Sequence, residues 1–122
     1  MNLPFTLTAV ILGCATPASA DPAEIVDAVA RPDASGWTIS VTIRHADTGW
    51  EDFADGWRVE LADGTILATR KIRHPHVVEQ PFTRSEMGIA IPPDAGSVRI
   101  RARTSPEGWG GQTVELRIPD HS

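Results

Sequence analysis

The sequence is poor in the residues that cross-link small proteins or bind soft metals. Its 122 residues include one cysteine, Cys14, and only two methionines. A single cysteine excludes an internal disulfide, so a domain built from this chain must be stabilised by burial of apolar side chains. Met87 is the only methionine after the initiator, which argues against a methionine-rich copper(I) carrier.

The sequence also lacks the signals of most enzymes and of nucleic-acid-binding proteins. It has 11 basic and 16 acidic residues, for a net charge of −5. A mildly acidic chain of mixed sign argues against nucleic acid and anionic membranes as partners. Ser85 and Ser105 lack the G-x-S-x-G frame of a serine nucleophile, and no pair of carboxylates stands out as a general acid and base. We therefore expect a protein that is not an enzyme.

The first 20 residues contain no charged side chain and have the pattern of an export signal. An apolar stretch at 5–15 precedes small residues at 18–20, which predicts a cleaved signal peptide (1–20) and a periplasmic or secreted product. The stretch is too short for a transmembrane helix, which needs about 20 apolar residues. As an alternative, residues 11–14 resemble a lipoprotein cleavage box that would leave Cys14 as the lipid-anchored first residue.

The remaining chain, 21–122, alternates apolar and polar residues, as half-buried strands do. No segment carries a sustained helical period. The alternation predicts seven strands, at 25–30, 37–44, 57–62, 65–73, 82–91, 98–104 and 114–118. One domain of this length and pattern favours an all-β, seven-stranded antiparallel sandwich of the immunoglobulin or fibronectin type III kind, without a disulfide. A small open barrel is the alternative.

The dipeptide Asp63-Gly64 predicts a tight hairpin turn and thereby a register. A two-residue type I′ turn would pair Leu61 with Ile66, Val59 with Ala68, and Trp57 with Arg70. This register gathers apolar side chains on one face of the hairpin. We expect the core to contain Trp37, Ile39, Val41, Val59, Leu61, Ile100 and Leu116.

Alternating strand directions bring three connections, 45–56, 74–81 and 105–111, to the same end of the domain. These connections carry three of the four histidines, His45, His74 and His76. All three continue the core-facing parity of their strands, so they could converge on a zinc or copper(II) ion. Asp47, Glu79 or Glu107 could complete such a site. The alternative is structural: the histidines bond loop groups and close the end of the sandwich.

The same three connections carry the candidates for a ligand-binding surface. The candidates are Trp50, Phe53, Glu79, Glu107 and Trp109. Loops at one end of a sandwich are its usual binding surface, so they predict a binding or interaction module for a protein or a small ligand. Trp50 and Phe53 could instead pack the long loop onto the domain.

Two strings of residues are distinctive. His45-Ala46-Asp47-Thr48-Gly49-Trp50 and the segment at 74–84, HPHVVEQPFTR, resemble those of a group of small exported bacterial proteins of unknown function. The resemblance implies an exported, sandwich-like domain and supplies no activity. In that group the glycine-rich loop often begins with His, where this chain has Glu107; if that His is a ligand, Glu107 would be a weaker replacement.

The first testable prediction concerns processing. If the export signal is cleaved after residue 20, the mature protein begins at Asp21 and contains no cysteine. Intact-mass measurement of the exported protein should find this species. A lipid-modified species that begins at Cys14 would contradict cleavage at residue 20 and would assign the protein to a membrane surface.

Overall fold

The computed structural model describes residues 22–120. The predicted signal peptide, Cys14 and His121 lie outside the described residues. Every regular element in 22–120 is a strand: β1 (Glu24–Asp33), β2 (Gly36–Arg44), β3 (Phe53–Glu60), β4 (Ile66–Lys71), β5 (Phe82–Ile89), β6 (Ser97–Ser105), β7 (Gly108–Trp109) and β8 (Val114–Arg117). Within the same residues no helix is long and apolar enough to cross a membrane.

The strands form two antiparallel sheets that enclose one core. The smaller sheet has the order β1-β2-β5, and the larger has the order β4-β3-β6-β7, with β8 also paired to β6. The architecture is therefore all-β and sandwich-like, as the alternation predicted. The most deeply buried large side chains come from β2, β3 and β6: Ile39, Val41, Ile43, Trp57, Val59, Val98 and Ile100.

The structure has eight strands where the sequence predicted seven. The additional strand, β7, pairs Trp109 with Arg103 and Gly108 with Thr104. Two residues are too few to produce an alternating pattern, so β7 leaves no periodic signal. Strand β3 also begins at Phe53 rather than at Trp57, because a bulge between Ala54 and Gly56 interrupts the alternation there.

The turn after β3 differs from the predicted two-residue turn. Leu61 accepts a hydrogen bond from the Gly64 amide at 2.9 Å and donates its own amide to the Thr65 carbonyl at 2.8 Å. Gly64 has a φ of 93°, so this is a three-residue loop that ends in a residue of left-handed conformation. Glu60 therefore pairs with Ile66, contrary to the predicted pairing of Leu61 with Ile66.

A second irregularity restores the predicted register further along the hairpin. The pairing shifts by one residue between Val59 and Glu60, after which Val59 pairs with Ala68 and Trp57 with Arg70. Those pairings are the predicted ones. The bulge leaves Ile66 50% exposed, which corrects its predicted place on the core face.

Three of the residues expected in the core are only partly buried: Trp37, Leu61 and Leu116. Each lies where the sandwich is open. Trp37 is near the start of β2, Leu61 lies in the turn after β3, and Leu116 belongs to the short edge strand β8. The other expected core residues are fully buried.

Strand pairing places three connections at one end, which we call the upper pole. It consists of loops 45–52, 72–81 and 106–107. Ile43 pairs with Phe82 and Phe53 with Ser105, so the ends of β2 and β6 lie beside the starts of β5 and β3. Glu24 pairs with Arg44, so the chain also enters the domain at the upper pole.

The difference between full and partial burial gives a second prediction. Ile100→Ala should lower the free energy of unfolding by about 2–5 kcal/mol, as large-to-small changes in a packed core do. Leu61→Ala should cost clearly less, because solvent already reaches Leu61. Urea unfolding of both variants measures the difference, and equal losses would contradict this account of the core.

Candidate functional site

The carboxylate of Asp47 is the centre of the upper pole. Asp47 is 4% exposed, although it lies in a loop. Its Oδ1 accepts hydrogen bonds from His45 Nδ1 at 2.6 Å and from the Ala54 amide at 3.0 Å, and its Oδ2 accepts one from the His76 amide at 2.7 Å. Three donors from three parts of the chain thus converge on one buried carboxylate, which satisfies a group that is otherwise costly to bury.

Gln80 forms a second connection between the loops at 45–52 and 72–81. Its Oε1 accepts a hydrogen bond from the His45 amide at 2.9 Å, and its Nε2 donates to the His76 carbonyl at 2.8 Å. The second bond also closes the segment from His76 to Gln80 on itself. Both loops are therefore held by the half-buried side chain of Gln80 as well as by their own backbones.

His76 is stacked between an aromatic ring and a second imidazole. Its ring lies nearly parallel to Phe82, with centroids 4.1 Å apart and an interplanar angle of 12°, and 4.8 Å from the ring of His74. Arg84 Nη2 lies 2.7 Å from His76 Nε2. A guanidinium can only donate, so Nε2 accepts and the imidazole is neutral with its proton on Nδ1.

The surroundings of His76 oppose its protonation. Burial lowers the pKa of this imidazole, and the electrostatic effects of Arg84 and His74 lower it further. Asp47 and Glu79 act in the opposite direction but do not outweigh these effects. His76 Nδ1 has no hydrogen-bond partner among the described residues, so the neutral form is held by packing on Phe82 and by Arg84.

The two other predicted metal ligands have different surroundings. His45 is 3% exposed, and its Nε2 lies 3.7 Å from Asp52 Oδ1. His74 is exposed, with a long contact of 3.4 Å from its Nδ1 to the Pro75 carbonyl. Within residues 22–120, no three His, Cys, Asp or Glu side chains are grouped so that they could hold a metal ion. His45 bonds the loop carboxylate of Asp47, whereas the ring of His76 contacts Arg84 and Phe82 of β5. Metal binding and the structural alternative both stay predictions.

The outer surface of the pole is apolar at its tip. Trp50 is 66% exposed, Val77 54% and Val78 95%. Trp50 contacts Phe53 edge to face, with centroids 5.5 Å apart. Of this aromatic pair, Trp50 is accessible to a ligand, whereas Phe53 is buried. Glu79, another candidate, is exposed beside Val78.

Glu107 and Trp109 lie apart from this cluster, along a groove of about 580 Å³. The groove runs between the first residues of β1 and the region of β7 and β8, and its walls include Ile25 and Thr104. The guanidinium of Arg58 lies over the ring of Trp109, 4.1 Å from its centroid. The predicted ligand-binding residues are thus divided between the tip of the upper pole and this groove.

The outer face of the larger sheet has its own polar network, which the sequence did not predict. Glu60 is buried and accepts hydrogen bonds from Arg58 and Arg101, both at 2.7 Å. The bond from Arg101 lowers the pKa of Glu60, and Arg58 lowers it further. Asp55 pairs with Arg103 in the same sheet. This network lies on the same sheet as Trp109, which belongs to β7.

Sequence reasoning missed Gln80, Arg84 and the two valines at the tip. Gln80 and Arg84 stand inside the distinctive string at 74–84, but no spacing rule distinguishes a glutamine that bonds two loops from a solvated one. Arg84 does continue the strand parity of Phe82, which offers a signal: two residues along a strand share one face. Val77 and Val78 look like core residues in a sequence, and only the closed loop shows that they are exposed.

Comparison with known proteins gives one partial likeness. The chain is 40% identical over 75 residues to a protein of the archaeon Halomicrobium mukohataei named "Putative lipoprotein". The matched region covers 62% of this chain and 36% of that relative, so the chain corresponds to about a third of the relative's length. No protein-family model matches the chain, and no solved structure does.

A third prediction concerns Asp47. Asp47→Ala would leave three donors without their acceptor, and each buried donor left unsatisfied costs about 1–3 kcal/mol. We expect the free energy of unfolding to fall by at least about 3 kcal/mol in urea titrations. Asp94→Ala is the matched control, because Asp94 is exposed in the loop at the opposite pole; it should change stability by less than about 0.5 kcal/mol. Equal effects of the two changes would contradict the role given to Asp47.

A fourth prediction concerns pH. The folded-state pKa of His76 is lower than its ordinary value of 6.5, so the unfolded chain binds the proton more readily. The stability due to neutral His76 is therefore fully present above about pH 6.5 and is lost as the pH falls toward the folded-state pKa. Urea unfolding between pH 7.5 and 5 should show this loss in the wild type.

Two variants isolate this contribution. His76→Gln keeps an acceptor for Arg84 but does not titrate, so its stability should fall less steeply with pH. His74→Gln removes an exposed imidazole from the same loop and should retain most of the wild-type slope. A wild-type slope in His76→Gln would contradict the prediction.

Proposed function

We propose that this protein is an exported binding or interaction module whose binding surface is the tip of the upper pole. One observation carries the proposal: loops 45–52 and 72–81 are joined through the buried carboxylate of Asp47, yet they leave Trp50 and Val78 in solvent. A surface that is ordered before it meets its partner loses less conformational entropy on binding. The proposed partner is an unknown protein or another ligand with an apolar face.

The exposure of the tip supports a contact outside the domain. Val78 is 95% exposed on a segment closed by Gln80. A valine in that position contributes nothing to the core, and a polar residue would be better solvated. Single exposed apolar residues are common on protein surfaces, but here Val77, Val78 and Trp50 share one pole.

The proposal also includes export of the protein and an immunoglobulin-like type of sandwich. The name of the archaeal relative supports an exported chain, and a lipid-anchored form through Cys14 is compatible with it. The strand orders β1-β2-β5 and β4-β3-β6-β7 correspond to A-B-E and C′-C-F-G in immunoglobulin nomenclature, which supports an immunoglobulin-like or fibronectin type III-like sandwich. Domains of that type commonly bind through the loops at one end.

Site-specific photo-crosslinking in cells tests the proposed surface. A photoreactive amino acid at position 78 should give cross-links in the cell envelope, to protein or to lipid. The same group at position 87 is the matched control, because Met87 is also apolar and 75% exposed but lies toward the opposite end of β5. Equal cross-linking at the two positions, or none at position 78, would contradict the proposal.

Metal binding is the second candidate function, and one observation favours it: the rings of His74 and His76 lie 4.8 Å apart. Zinc or copper(II) could bind this pair, with Glu79 close by in sequence. Arg84 opposes it, since its guanidinium occupies His76 Nε2. Calorimetric titration of the untagged protein with zinc should give binding that His74→Ala removes; no binding by the wild type would exclude this candidate.

A further inference from the structure

We propose that the partner of the upper pole is the surface of a zwitterionic lipid bilayer, into which Trp50, Val77 and Val78 insert. This inference rests on the proposed function, because it names the partner of the same surface. It goes further by giving the domain an orientation, with its upper pole toward the membrane and its lower pole away from it.

The chemistry of the tip fits the boundary between lipid headgroups and acyl chains. Valine side chains offer only apolar surface, whereas a tryptophan ring combines an apolar body with one polar N–H and is enriched at membrane interfaces. Trp50, Val77 and Val78 are the large apolar side chains that the two loops expose. The hydrogen bond from Gln80 to His76 closes the valine segment, so these side chains stay directed away from the domain.

The described part of the chain begins at the same pole. Glu24 pairs with Arg44 at the upper end of the smaller sheet, so residues 1–21 join the domain there. They contain the apolar run at 5–15 and Cys14. Glu24 follows Cys14 by ten residues, and an extended chain covers at most about 3.6 Å per residue, or about 36 Å here. A lipid on Cys14 would therefore keep the upper pole close to the bilayer.

The charged residues around the tip favour a zwitterionic lipid surface over an anionic one. Glu51 and Glu79 are exposed near the apolar residues, and so are Arg44 and Arg73. Mixed charges give no attraction to anionic headgroups, and the whole chain is acidic. The contact is therefore weak by itself. In the lipid-anchored form it would act as a second membrane signal beside the lipid on Cys14, since stable anchoring usually takes two signals.

Quenching by brominated lipids tests the inference. The protein is purified from the cell envelope with its natural N terminus and mixed with phosphatidylcholine vesicles that carry bromine on their acyl chains. Trp50 is 66% exposed, whereas Trp57 is fully buried and Trp37 and Trp109 are partly buried, so the signal that depends on Trp50 is the reporter. We expect wild-type tryptophan emission to be quenched, and Trp50→Phe to lose most of that quenching.

Two further variants separate the tip from the rest of the surface. Val77→Ser with Val78→Ser should reduce the quenching at least threefold, whereas Met87→Ser should leave it unchanged. No quenching of the wild type, or equal quenching in the valine variant, would overturn the inference. If cross-links from position 78 reach protein while lipid does not quench, the lipid inference fails and the proposed function stands. If position 78 gives no cross-link either, both fail.

Discussion

A single buried carboxylate determines the arrangement of the upper pole. Removing Asp47 from water is costly, and the cost is offset only because three donors reach it: one imidazole and two backbone amides. One amide belongs to Ala54, at the start of β3, and the other to His76, in the connection that follows β4. These segments are distant in sequence and bond the same side chain, so the conformation of one loop is tied to that of the other.

Because both loops bond the same buried carboxylate, the pole can be ordered and still expose apolar side chains. Ordinary loops gain order by packing apolar side chains inward, which leaves little apolar surface for a partner. Here the order comes from Asp47, Gln80 and the stack of His76 on Phe82, so Val77, Val78 and Trp50 are not needed for it. Asp47 and His76 are buried beneath the tip, whereas Val78 is exposed on it. This is the reverse of the usual distribution, in which apolar residues are buried and polar residues are exposed. The proposed binding role would account for this reversal.

The sequence predicted much of this fold and less of the site, for physical reasons. Alternation follows directly from burial of one strand face, so the sandwich-like architecture and the antiparallel hairpins could be predicted. Bulges insert single residues that alternation cannot reveal, which is why the pairing of Leu61 and the exposure of Ile66 were predicted wrongly. The strand β7 was not predicted, because two residues are too few to show an alternating pattern.

At the site, strand parity predicted that His45 and His76 would face the core, and both are buried. The hydrogen bonds of Gln80 and Arg84 depend on loop conformation, which no periodicity encodes. Asp47 was considered only as a ligand for a metal. Its role as an acceptor for the amides of Ala54 and His76 depends on the conformation of the loops, which the sequence pattern does not encode.

Hydrogen exchange at two backbone amides tests the central claim most directly. The amides of Ala54 and His76 donate to Asp47, and both should exchange slowly in the wild type. In Asp47→Ala, which removes both acceptor oxygens, the account predicts that both amides exchange at least tenfold faster, while the amides of β2 and β6 keep their relative protection. Unchanged exchange at these two amides, or equal acceleration throughout the sheets, would contradict the claim that this carboxylate holds the loops.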